Sequence, residues 1–208
     1  MKVLLIIDLQ NDFLPGGSMP VPQGEAVIPL ANKLQGCFKL VVATQDWHPA
    51  NHKSFAPNHP GREPGEVVLL KKRPQLLWPK HCIQSARGSE LSPALRMNRV
   101  NKVLRKGTDA EIDGLSGFFD EGHAQPTGLH DYLKEKKATE IYIMGLGLDY
   151  CVKATALDAV ALGFKAFLIE DACRGWNRNP DDSKKAIEEI QAAGVTLMHS
   201  RELLQLTK

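Results

Sequence analysis

The sequence is poor in cysteine, has no excess of either charge and has no long apolar run, and each shortage removes a class of protein. Its four cysteines (Cys37, Cys82, Cys151 and Cys173) form no Cys-x-x-Cys pair, which argues against a disulfide framework and a structural zinc finger. Lysine and arginine number 26 against 24 acidic residues, a net +2 with histidine neutral, so no basic stripe offers itself to nucleic acid. The densest basic run, Lys71-Lys72-Arg73, is short and adjoins a proline, the pattern of a solvated loop. No apolar run approaches the ~20 residues of a membrane span. The N-terminal Val3–Ile7 stretch leads into Asp8 without the longer apolar region and cleavage site of a signal peptide. A cytoplasmic protein without membrane or nucleic-acid partners is expected. The composition left is that of a globular chain, at a length suited to one domain over residues 1–208.

Short apolar runs alternate with amphipathic stretches. Strands are predicted at 2–7, 39–43, 102–105, 140–144, 165–169 and 195–198, and helices at 25–34, 128–136, 151–161 and 181–193. The strands are almost continuously apolar, as strands covered on both faces are, and strand–helix alternation predicts an α/β fold with a mainly parallel six-stranded sheet between helical layers. Residues from about 45 to 99 break the pattern. They are rich in Pro, His, Asn and Gly, and a long irregular connection with tryptophans and histidines reads as functional.

In such sheets ligands bind beyond the carboxyl ends of the strands, and three reactive residues stand there. Asp8 closes the first strand, where a capping or turn role is the alternative. Lys106 follows the run 102–105 and, taken alone, reads as a surface lysine rather than a catalytic one. Cys151 stands where the turn Gly145-Leu146-Gly147-Leu148-Asp149-Tyr150 meets a helical pattern. A helix N-terminus lowers a thiol pKa and supplies free N–H groups, although a free cysteine also serves as a small buried apolar residue. Nucleophile, carboxylate and cation together suit acyl transfer. In the irregular region, Asp46-Trp47-His48 and the more distant His81 offer a carboxylate and two imidazoles, a set suited to zinc, manganese or iron but a weak signal by itself.

Two other patterns fail. His81-Cys82 through Arg87 resembles a phosphatase His-Cys-x5-Arg loop but has only four residues between Cys and Arg. Gly145-x-Gly147 lacks the third glycine of a dinucleotide fingerprint.

Several motifs, in order along nearly the whole chain, resemble the nicotinamidase/pyrazinamidase family of isochorismatase-like cysteine hydrolases. They are Ile7-Asp8-Leu9-Gln10-Asn11-Asp12-Phe13, Thr44-Gln45-Asp46-Trp47-His48-Pro49, Trp78-Pro79-Lys80-His81-Cys82, Lys106-Gly107, Gly117-Phe118 and Asp149-Tyr150-Cys151-Val152. The resemblance implies a Rossmann-like, isochorismatase-like fold and a triad of Asp8, Lys106 and Cys151. It implies oxyanion donors on the backbone of Gly147 and Cys151, with a cis peptide between Leu146 and Gly147. It implies one divalent metal on Asp46, His48 and His81, zinc before manganese or iron, with His52 outside the primary set. The ring of the substrate would lie near Phe13, Trp78 and Tyr150, with Leu14 a further candidate. The activity implied is hydrolysis of nicotinamide, with pyrazinamide as a second substrate, in NAD salvage; a homo-oligomer is compatible with it. The runner-up is a related amidase or ureido-hydrolase acting on a non-pyridine amide. Two departures stand out: many relatives carry tyrosine at Leu115, which bears on breadth toward ring-substituted amides, and Ala-Thr at Gly147-Leu148, which bears on hydrogen bonding near the turn. Cys37 and Cys173 read as structural, and Cys82 has no assigned role.

Overall fold

The buried stretch Val3–Ile7 forms the centre of the sheet. The computed structural model describes residues 1–205; the last three residues of the expected domain lie outside it. The strands are β1 (Lys2–Ile7), β2 (Leu40–Asp46), the hairpin strands β3 (Val67–Leu70) and β4 (Arg73–Leu76), β5 (Lys102–Lys106), β6 (Glu140–Leu146), β7 (Lys165–Arg174) and β8 (Thr196–Met198). The helices are α1 (Val27–Leu34), α2 (Leu129–Glu135), α3 (Lys153–Ala161), α4 (Asp182–Ala192) and α5 (Ser200–Gln205).

Six strands form one sheet in the order β5-β2-β1-β6-β7-β8, every neighbouring pair parallel. All of β2 and all of β6 beyond Glu140 are buried, which explains their unbroken apolar character. Helix α1 packs on β6 and β7 with α5 beside it, and α3 packs on β7 with α4 beside it, giving the three-layer α/β/α arrangement. The chain runs outward from β1 through β2 to β5, then returns to place β6 on the other side of β1. That reversal creates a crevice at the carboxyl ends of β1 and β6, the ends that carry Asp8 and the Cys151 turn.

Four differences from the sequence reading matter to the site. Strands β2 and β5 run on to Asp46 and Lys106, whose Cα positions are partners in the ladder. Strand β7 continues past an irregularity, Ile143 pairing with Leu168 but Gly145 with Cys173, so it ends at Arg174 rather than Ile169. The irregular region contains the β3–β4 hairpin, turned at Lys71 and Lys72 with both at positive φ; Lys-Lys lacks the Asn-Gly signature of such a turn. Finally, the helix expected from Cys151 is regular only from Lys153. Cys151 belongs to a wide π-helical turn, Leu148–Val152, closed by the Val152 N–H donating to the Gly147 carbonyl at 3.0 Å.

Candidate active site

Lys106 is the hub of the site. Its side chain is buried between three elements, and its ammonium has three protons to give. They go to Asp46 Oδ1, to the Gly114 carbonyl at 3.0 Å and to Cys151 Sγ at 3.4 Å. Asp8 Oδ2 lies 2.9 Å from the same nitrogen, a buried ion pair. Asp8 Oδ1 accepts the Thr44 hydroxyl at 2.6 Å. The residue is held at φ +51°, a left-handed conformation that aspartate tolerates better than most. One oxygen each of Asp8 and Asp46 and the Cys151 sulfur lie within 4.8 Å of one another. Asp8, Lys106 and Cys151, from three strand ends, therefore meet.

Charge and burial act on them in different directions. Burial, only partly offset by Lys106, pushes the Asp8 carboxyl above its ordinary value. Burial pushes Asp46 the same way, but Lys106, His48 and His81 outweigh it and hold that carboxyl below the usual range. Burial would lower Lys106, yet Asp46 and Asp8 keep its ammonium well above the ordinary lysine value. The thiol of Cys151 is not lowered as a helix N-terminus would lower it. Burial pushes it well up, against the pull of Lys106, so its ionisation calls for a base. Nor is there a cis peptide at Leu146–Gly147, or elsewhere among the described residues. Gly147 makes the turn at φ +71°, a conformation glycine adopts without a Cβ penalty.

Asp46 faces two ways. While Oδ1 meets Lys106, Oδ2 lies 3.6 Å from His48 Nε2 and 4.0 Å from His81 Nε2. His48 Nδ1 is 2.8 Å from the Gly107 carbonyl, and His81 Nδ1 is 2.8 Å from the Pro79 carbonyl. A carbonyl only accepts, so each Nδ1 carries a proton and each Nε2 is aimed at Asp46, the orientation that a metal-binding imidazole needs. The donor set of Asp46, His48 and His81 thus fits a divalent cation. His52 stands beside this set, grouped with His48 and Asp113; its Nδ1 accepts the Ser54 N–H at 3.1 Å and its Nε2 meets the Ile112 carbonyl at 3.3 Å. Gly107 is constrained twice, by φ +64° and by the His48 ring, which lies 2.2 Å from where a Cβ would stand.

Beside Cys151 lies a tight cavity of about 10 Å³, walled by Phe13, Trp78, Tyr150, Met19, Leu115 and Trp176. Asp46, His81, Asp113 and Cys151 complete its lining. Leu14 is buried but not among the walls. The rings meet edge to face, Trp78 with Tyr150 at 5.0 Å and Phe13 with Trp176 at 5.2 Å between centroids, the geometry favoured by aromatic quadrupoles.

Residues 2–202 match the isochorismatase domain family. A nicotinamidase of Escherichia coli (strain K12) is 46% identical over 200 residues, covering 94% of this chain and 93% of the relative. The chain belongs to the isochorismatase family, in its nicotinamidase/pyrazinamidase branch. Among solved structures of that branch, an Acinetobacter baumanii nicotinamidase/pyrazinamidase superposes with a TM-score of 0.94 at 45% identity, covering 97% of each chain. The pyrazinamidase of Pyrococcus horikoshii in complex with zinc superposes at 0.77 and 36% identity, covering 95% of this chain and 98% of that one.

Trp176, Met19 and Asp113 were missed by sequence reasoning. The signal for Trp176 was available in principle: it is one of only three tryptophans and lies two residues beyond the carboxyl end of β7. Cutting that strand at Ile169 hid it. Gln10 stands in a motif that gives it no role; its amide joins both backbone groups of Asp46, at 2.8 Å each, to the Ser89 carbonyl at 2.8 Å, tying the end of β2 to the turn after β1.

Proposed function

We propose that this isochorismatase-family enzyme hydrolyses nicotinamide to nicotinate and ammonia, and pyrazinamide by the same route, with Cys151 as nucleophile, Asp8 as proton carrier and Lys106 as the cation between them. The observation that carries the reading is the sharing of Asp46. One of its oxygens neutralises Lys106 beside the nucleophile and the other faces the two imidazoles, so a cation site and a nucleophile border one aromatic-walled cavity.

The residues divide the work as follows. Asp8, its carboxylate paired with Lys106, takes the proton of the Cys151 thiol as sulfur attacks the carboxamide carbon. Lys106 favours the thiolate over the thiol in a site where burial alone would forbid it. The backbone N–H groups of Gly147 and Cys151 receive the oxyanion, a contribution of roughly 3–4 kcal/mol per donor in comparable enzymes. The protonated Asp8 then gives its proton to the departing nitrogen, ammonia leaves and an acyl-cysteine thioester remains. Asp8 next takes a proton from water, whose oxygen attacks the thioester carbon; nicotinate departs and the cysteine recovers its proton. Phe13, Trp78 and Tyr150 hold the ring flat so that the carboxamide faces the sulfur. A divalent metal held by Asp46, His48 and His81, zinc before manganese or iron, would supply a Lewis-acid anchor for the ring nitrogen. Nicotinate formed this way feeds NAD salvage.

The test is ammonia release from nicotinamide by the purified protein, alongside Cys151→Ala and before and after chelation with metal restored. The reading expects turnover that vanishes in the variant and falls reversibly on chelation. A fully metallated wild type that releases no ammonia from nicotinamide would refute it.

A further inference from the structure

Trp176 sits at a partition. The inner cavity beside Cys151 and an outer groove of about 220 Å³ share only Met19, Trp78 and Trp176 among their walls. Beyond those three the groove is lined by Pro64, Gly65, Leu77, Pro79 and Arg178, a largely apolar channel. The indole is held from three directions. Its Nε1–H donates to the Met19 carbonyl at 3.1 Å. Its backbone N–H donates to Asp149 Oδ1 at 3.1 Å, and the next residue, Asn177, donates to Oδ2 of the same buried carboxylate at 2.7 Å. Its ring edge rests over Gly147, where a Cβ would lie 2.6 Å from Cζ3. A side chain so fixed is a rigid wall, and it stands on the turn that bears the nucleophile.

We propose that Trp176 is a specificity-determining residue that closes the substrate cavity against ring substituents, restricting the enzyme to bare six-membered heteroaryl carboxamides. Asp149 and Gly147 are its positioning residues. The inference rests on the amidase reading above and goes beyond it by naming which side chain sets substrate breadth. Because the wall separates two cavities, shortening it opens a passage into the groove rather than an isolated void. A ring alkyl group rejected by the wild type then has somewhere to go. Discrimination of one small apolar group by a hydrophobic wall is worth about 10–200-fold.

The experiment compares kcat/KM for nicotinamide and for ring-alkylated nicotinamides in wild type, Trp176→Phe and Trp176→Ala. The ratio of alkylated to plain substrate is expected to rise about tenfold or more in Trp176→Ala, with Trp176→Phe between. A rise of less than threefold overturns the proposal. Calorimetric binding of nicotinate and ring-alkylated nicotinates reads the same ratio without turnover. A wild type inactive on nicotinamide therefore sinks the amidase reading while leaving the wall testable. A double-mutant cycle with Gly147→Ala gives a second reading. The positive-φ strain of alanine is present in both backgrounds and cancels, whereas its clash with the indole exists only when Trp176 is present. The loss caused by Gly147→Ala is expected to be at least threefold smaller in the Trp176→Ala background. Independent effects would show that the ring does not bear on the turn and would overturn the arrangement.

Discussion

Replacing Lys106 with methionine keeps most of the stem and removes the charge. The ammonium lies 2.9 Å from Asp8 Oδ2 and closer still to Asp46 Oδ1. A unit-charge pair at about 3 Å is worth roughly 6 kcal/mol at an effective dielectric of about 20. Desolvation of three buried charges cancels much of that, and breaking a buried ion pair by deleting one partner typically costs about 3–5 kcal/mol. The variant leaves two buried carboxylates facing each other with no cation between them. Denaturant unfolding should therefore show Lys106→Met less stable by about 3–5 kcal/mol, a fall in Tm of roughly 6–20 °C for a chain of this size. Ammonia release should drop by about 100-fold or more at temperatures where the variant remains folded, because the thiolate loses its only cationic neighbour among the groups that meet it. A variant losing less than about 1 kcal/mol, or one keeping wild-type turnover, would refute the placing of Lys106 as the hub of the site.

Two further outcomes follow from single contacts. Gly107→Ala forces a Cβ into the His48 ring and a non-glycine residue to φ +64°; metal titration should show affinity weakened by about 10–100-fold, and unchanged metal binding would count against that contact. The Tyr142 phenol donates to Glu140 Oε2 at 2.9 Å, and burial and that carboxylate push it up to about 12 from an ordinary 10. The stability it contributes is fully present below pH 10 and is lost as pH rises through 12. Tyr142→Phe should flatten the fall of stability across that window in alkaline unfolding curves, and an unchanged slope would exclude the linkage.

The alternation of apolar runs with amphipathic stretches was enough to determine the fold class, because a strand covered on both faces has to be apolar throughout and a helix on one face only. Strand ends then selected Asp8, Lys106 and Cys151 as candidates, and ordered motifs added Asp46, His48 and His81. Only tertiary structure decided that these residues share one centre. Asp46 and Lys106 are 60 positions apart in sequence but partners in the ladder between β2 and β5, and sequence spacing carries no information about which strands become neighbours. The thiol pKa likewise depended on packing. A helix start near Cys151 suggested a lowered value, whereas burial of that turn raises it. The place of Trp176 at the cavity was likewise set by packing. Its strand passes through an irregularity in register before delivering it to the cavity, and local periodicity does not record the hydrogen-bond partners that hold a strand together beyond such a break.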